Sequence, residues 1–239
     1  MALNKVEKNS NMYSWVDFTH SHLAGRCLHE CQYCYVQSMG KRFPAIREKY
    51  SGKIRIIEDE FRVNYGSGKT IFIEHMNDLL AEGVPGSFIK RILAHCNTWP
   101  DNTYIFQTKN PASVIDYEVL DFIPEKCLIG TTVESDINYN ISKAPVVSSR
   151  IESIADLSYN YAIKIFITVE PILRFNLPVL SDLIIQSDPE FVNIGADSKK
   201  SGLPEPTWNE VQELVDILEE NNIEVRQKKN LDRLKAYKP

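Results

Sequence analysis

The sequence predicts an α/β fold, a partial (β/α)6-type TIM barrel. Three observations predict it. Short continuous apolar runs recur along the chain, runs of helical period separate them, and polar residues with chemical potential follow the apolar runs rather than interrupt them. Continuous apolar strands alternating with helices are the pattern of a parallel sheet covered on both faces. Six or seven such units within 239 residues fit a complete or incomplete barrel better than two domains. No linker, low-complexity tract or short repeat interrupts them, so residues 1–239 read as a single domain.

The elements justify this in order. WVDFTH is the first apolar strand, followed by a cysteine-rich loop and a helical YVQSM. Residues 40–69 form a basic, Gly- and Pro-punctuated excursion with a short IRII strand inside it. TIFIEH is a strand, and the Pro85–Cys96 stretch is a helix with apolar Phe88, Ile89, Ile92 and Leu93. TYIFQT is a strand, after which Pro111 opens a short helix at the first-turn position that proline favours. CLIGTTV, KIFITV, FVNIG and IEVRQ are the remaining strands. Between them lie helices over Val146–Leu157, LPVLSDLII and Pro206–Glu220, the last with Val211, Leu214, Val215 and Leu218 on one face.

Composition narrows the function. No stretch approaches eighteen apolar residues, so no membrane span is expected. The polar MALNKVEKNSN lacks the apolar core of a secretory signal, and the expected location is the cytoplasm. A net charge of -5 gives no broad electrostatic grip on duplex nucleic acid, although the C-terminal KNLDRLKAYK is a basic tail. Tyr65-Gly-Ser-Gly-Lys-Thr70 imitates a phosphate-binding loop. However, Val63 stands where the full pattern needs glycine, and Lys69-Thr70 run into a strand instead of opening a helix. A P-loop-like NTPase at Gly66–Thr70 is thus a weak alternative.

The sharpest signal is Cys27-Leu-His-Glu-Cys31-Gln-Tyr33-Cys34, a C-x3-C-x2-C spacing directly after the first strand. Three of the five cysteines fall within these eight residues, an arrangement unlike a disulfide framework. Iron–sulfur clusters are normally held by four thiolates. Three thiolates leave one iron of a [4Fe–4S] cluster open, as catalytic zinc sites keep a position open. Such an iron can chelate the amino and carboxylate groups of S-adenosylmethionine (SAM). A structural zinc site using His20, His22 or His29 as fourth ligand is the competing reading, and it lacks a second ligand pair. Cys96 and Cys127 read as small buried residues.

CLHECQYCY resembles the radical SAM signature, including aromatic Tyr33 before the third cysteine. The wider chain resembles the phage-associated radical SAM family related to spore photoproduct lyase. The resemblance rests on IFIEHMNDLLAEGVP, YIFQTKNPASV, IGTTVES, SRIESI, ITVEPIL and VNIGADS, in order from about Trp15 to Gln227. It implies a partial barrel of the radical SAM kind. It also implies a [4Fe–4S] cluster on Cys27, Cys31 and Cys34, and reductive SAM cleavage to a 5′-deoxyadenosyl radical that removes hydrogen from a substrate.

The resemblance also implies roles for residues after the strands. Tyr33 lies against the SAM adenine, Asn77 (in Met76-Asn77-Asp78) approaches the SAM amino group, and Lys109 meets the SAM carboxylate. Asp78 has an N-cap role as its alternative. Thr132, Glu134 and Ser135 are ribose-side candidates. Arg150 either pairs with Glu134 or serves substrate, and Glu170 either binds cofactor or forms a structural salt bridge. Tyr35 resembles a tyrosine that relays the radical. Two departures stand out: His75 occupies the place of a hydrogen-donating cysteine in photoproduct lyase, and Asp197 stands where the family usually carries glutamate. The implied partners are an electron donor such as flavodoxin or ferredoxin, and a nucleotide or nucleic-acid base as substrate. An electron-transfer or nucleic-acid-sensing protein without SAM chemistry is the rival class.

Overall fold

The computed structural model describes residues 2–8 and 10–236; Tyr237 and Lys238 of the basic tail lie outside them. The chain forms two compact units. One comprises the described residues up to Glu30 together with Cys34–Leu128; the other comprises Cys31–Tyr33 and the described residues from Ile129 onward.

In the first unit β1 (Asn4–Lys5) pairs antiparallel with β2 (Phe18–His20). A small antiparallel pair, β3 (Leu23–Ala24) with β4 (Arg55–Ile56), encloses α1 (Tyr35–Arg42) and α2 (Pro44–Lys49) in sequence. β5 (Thr70–Ile73) runs parallel to β2 and to β6 (Thr103–Thr108), in the registers Thr19↔Phe72 and Thr70↔Thr103. The three parallel strands therefore end at one edge, where functional groups gather in such folds. Between β5 and β6 lies α3 (Gly86–Asn97), which buries Ile89, Ile92, Leu93 and Cys96, a helical stripe.

Two sequence expectations shift here. TIFIEH stops as a strand at Ile73, because Glu74 takes a left-handed φ of 58° and turns its side chain back into the protein. The short helix α4 (Ser113–Asp116) starts two residues after Pro111. Thr108 Oγ accepts the Asn110 N–H, and the Asn110 amide donates to Ser113 Oγ, so a side-chain turn occupies Pro111 and the helix follows it. The basic excursion holds, beside its short strand, α2 and a turn of helix at Glu58–Arg62. The Gly66–Thr70 stretch is a turn that enters β5, with Lys69 Nζ donating to the Tyr65 carbonyl at 2.5 Å.

In the second unit β7 (Cys127–Thr132, counted from Ile129), β8 (Ile165–Val169), β9 (Val192–Ile194) and β10 (Val225–Gln227) pair in that order, all parallel. Their connections carry α5 (Val147–Tyr161), α6 (Leu177–Gln186) and α7 (Trp208–Glu220). β8 is buried throughout, which explains why KIFITV reads as an unbroken apolar run. α5 outruns its expected end at Leu157 by one turn and stops where Ala162 adopts a left-handed φ of 54°. α7 starts with a reciprocal capping box between Thr207 and Glu210. The C-terminal stretch is packed rather than trailing. Leu231 and Leu234 are buried, the latter on α8 (Asp232–Ala236), and Arg233 pairs with Glu205 at 2.5 Å. No helix among the described residues is long and apolar enough to cross a membrane.

Candidate functional site

In the first unit the cysteine loop leaves β3 through Gly25. Its φ is +97° and a Cβ there would lie 2.3 Å from the Lys53 carbonyl oxygen, so only glycine fits this neck. The segment after β5 braces the loop at several points. Glu74, 2% exposed, accepts the backbone N–H groups of His22 at 2.5 Å and Leu23 at 3.2 Å, and contacts His22 Nδ1 at 3.1 Å. Asn77 donates its amide to Gly25 O at 3.1 Å, and its Oδ1 accepts the Asp78 N–H. Asp78 meets His29 Nε2 at 2.7 Å and accepts the backbone N–H of Leu80 and of Lys109. Burial pushes the Asp78 carboxyl up, but His29 and these hydrogen bonds prevail and hold it below the ordinary range. Tyr35 donates its hydroxyl to the His75 carbonyl at 2.6 Å. His75 keeps a buried Nδ1 with no hydrogen-bond partner among the described residues.

Sequence reasoning missed Glu74, whose partners lie some fifty residues away and leave no local pattern. The signal that the sequence does offer is a carboxylate closing the apolar run TIFIEH.

In the second unit Glu134 and Arg150 are 3% and 4% exposed and form an ion pair at 2.8 Å. Arg150 also donates to the carbonyls of Thr132 and Pro145, while Tyr33 donates its hydroxyl to the other Glu134 oxygen. Burial first, then the Glu134 charge, pushes the Tyr33 phenol well above its usual pKa. Arg150 thus makes the Glu134 pairing that was one of its two expected roles. Ser135 donates to the Arg174 carbonyl and accepts the Ile137 N–H. Glu170, after β8, forms the salt bridge that was its alternative role. Lys228 Nζ lies at 2.7 Å, and Asn230 donates at the same distance. Asp197 accepts the backbone N–H groups of Lys199 and Ser201, closing its own loop.

None of the five cysteines forms a disulfide, but they divide by environment. Cys27, Cys31 and Cys34 are half-exposed, whereas Cys96 and Cys127 are buried. Burial drives the Cys96 thiol well above its usual pKa and that of Cys127 to about 12, so neither favours the thiolate that binds metal. Among the described residues no three His, Cys, Asp or Glu side chains stand as a ready-made metal-holding group. By donor chemistry, three part-exposed thiols outside any disulfide within one eight-residue loop fit an iron–sulfur cluster that leaves one iron open.

The fold places the chain in a class: a partial TIM barrel of the kind found in radical SAM enzymes. A cysteine-to-serine mutant of spore photoproduct lyase superposes with a TM-score of 0.65 and 11% identity over 94% of this chain and 80% of that one. A further mutant of that lyase, with bound AdoMet and dinucleoside spore photoproduct, gives 0.55 and 13% over 90% of this chain and 66% of its own. Streptococcus suis SuiB bound to S-adenosylmethionine gives 0.56 and 9% over 88% of this chain and 50% of its own. At these identities the likeness is one of fold. No curated protein matches the sequence. The family model described as "Protein of unknown function (DUF5131)" matches residues 10–185, and the chain belongs to that family.

Proposed function

We propose that this chain is a cytoplasmic radical SAM enzyme of the phage-associated kind, holding a [4Fe–4S] cluster through Cys27, Cys31 and Cys34. One observation carries the reading: the three reachable thiols follow β2, the first strand of the parallel sheet, in a fold shared with SAM-binding neighbours. When bound, such a cluster supplies the electron that splits SAM into methionine and a 5′-deoxyadenosyl radical. The chain's own residues bind, orient and exclude water. Lys109, half-exposed after β6, offers its ammonium to a carboxylate. Asn77 has one amide hydrogen beyond its bond to Gly25 for an acceptor. Tyr33 and Thr132 line the nucleoside side, and Tyr35 is the candidate for passing a hydrogen atom.

A nucleotide or nucleic-acid base is the proposed substrate class. A structural neighbour was solved with a dinucleoside, and Lys41, Arg42, Arg47 and Lys53 are exposed near the cysteine loop. His75 in place of a donor cysteine argues against photoproduct-lyase chemistry itself. Flavodoxin or ferredoxin is the proposed electron source.

The metal is tested by anaerobic reconstitution with iron and sulfide quantified. Ala at Cys27, Cys31 or Cys34 is expected to abolish the cluster, and Ala at Cys96 or Cys127 to retain it. Stoichiometric zinc without iron contradicts the reading.

A further inference from the structure

Glu134 has both carboxylate oxygens engaged inside the protein, one by Arg150 and one by the Tyr33 hydroxyl. Arg150 is equally committed, to Glu134 and to the carbonyls of Thr132 and Pro145. A buried ion pair is a poor source of stability, because desolvation offsets much of its attraction; its better use is to fix a geometry. Tyr33 stands between Cys31 and Cys34, and the neighbouring Gln32 N–H donates to the Ile141 carbonyl at 2.9 Å. The cysteine turn is thus gripped at two consecutive residues, by a backbone bond and by a phenol seated on a charged pair.

We infer that Arg150 and Glu134 are positioning residues for the Cys31–Tyr33 segment, acting through the Tyr33 hydroxyl, and that Glu134 is not a ribose contact. A phenylalanine at 33 would fill the same volume, so the hydroxyl is the atom that distinguishes positioning from packing. The inference rests on the radical SAM reading only in its second test.

The first test uses the metal-free protein. Alkylation by iodoacetamide, resolved residue by residue by mass spectrometry, reports how firmly Cys31 is held, with buried Cys96 and Cys127 reporting global unfolding. Tyr33→Phe and Glu134→Gln are each expected to speed Cys31 labelling several-fold, and the double variant no further, since both remove one interaction. If Glu134→Gln also exposes Cys96 and Cys127, Tyr33→Phe, which leaves the ion pair intact, decides alone. Unchanged Cys31 labelling in Tyr33→Phe overturns the inference.

The second test measures SAM affinity of the reconstituted protein. Each single variant is expected to weaken binding about tenfold, and the pair about tenfold rather than a hundredfold. With SAM lacking the 3′-hydroxyl, the losses from the analogue and from Glu134→Gln should multiply. If instead those two losses coincide while the Tyr33 and Glu134 losses multiply, Glu134 grips the ribose and the inference fails. Labelling as expected in a protein that binds no SAM would overturn the functional reading and leave the positioning role standing.

Discussion

At the scale of single residues, the first unit is marked by histidines held neutral. Burial, with nearby positive groups, lowers His20 and His22 to about 3, and His75 and His95 to about 4. His22 sits between Glu74 and the Tyr65 hydroxyl, its Nε2 at 3.0 Å from the latter. These rings bind protons more weakly in the folded chain than in the unfolded one. Stability should therefore be full above about 6.5, the ordinary histidine value, and fall as pH drops toward 4 and below. Glu74 acts oppositely: burial raises it to about 7, so between its ordinary value and 7 its contribution declines as pH rises. Four groups outweigh one, and the urea midpoint of the metal-free protein should drop steeply between pH 6 and 4, with uptake of more than one proton. A flat profile over that range would mean that the rings are already charged in the folded protein.

At the scale of elements, packing imposes demands that sequence pattern cannot display. A Cβ on Gly130 in β7 would lie 2.2 Å from the Phe166 ring of β8, so Gly130→Ala should cost about 1–3 kcal/mol or more. Urea unfolding checks this, and Phe166→Leu should recover part of the loss; a neutral Gly130→Ala would refute the close contact. The long strands and helices were legible because each buries a continuous run or a helical stripe, as in TYIFQT and in Ile89, Ile92, Leu93 and Cys96. β1, β3 and β4 were not, or only as a vague IRII, because two paired residues have no period to detect. The site divides the same way. Cys27, Cys31 and Cys34 were visible as local spacing, while the union of Tyr33 with Glu134 spans about a hundred residues and depends on the fold. The helices α1 and α2 bury little and carry exposed Lys41, Arg42 and Arg47. If they receive a phosphate-bearing substrate, binding of a short oligonucleotide should weaken steeply with salt. Arg47→Glu with Lys41→Glu should lower both affinity and salt slope, as fluorescence anisotropy would show. No binding at low salt to single strands, duplexes or nucleotides would remove nucleic acid from the proposal.

At the scale of the whole molecule, each unit carries its own share of the polar residues that follow strands. The first holds Lys109, Asn77 and the braced neck of the cysteine loop; the second holds Glu134 and Glu170, with Tyr33 and Arg150 bonded to Glu134. Reductive SAM cleavage separates the proposed enzyme from an electron-transfer protein directly. Anaerobically reconstituted protein, reduced with dithionite in the presence of SAM, should release 5′-deoxyadenosine, slowly without substrate, and the Cys31→Ala variant should release none. A protein with its full complement of iron that yields no 5′-deoxyadenosine under these conditions would contradict the proposed activity.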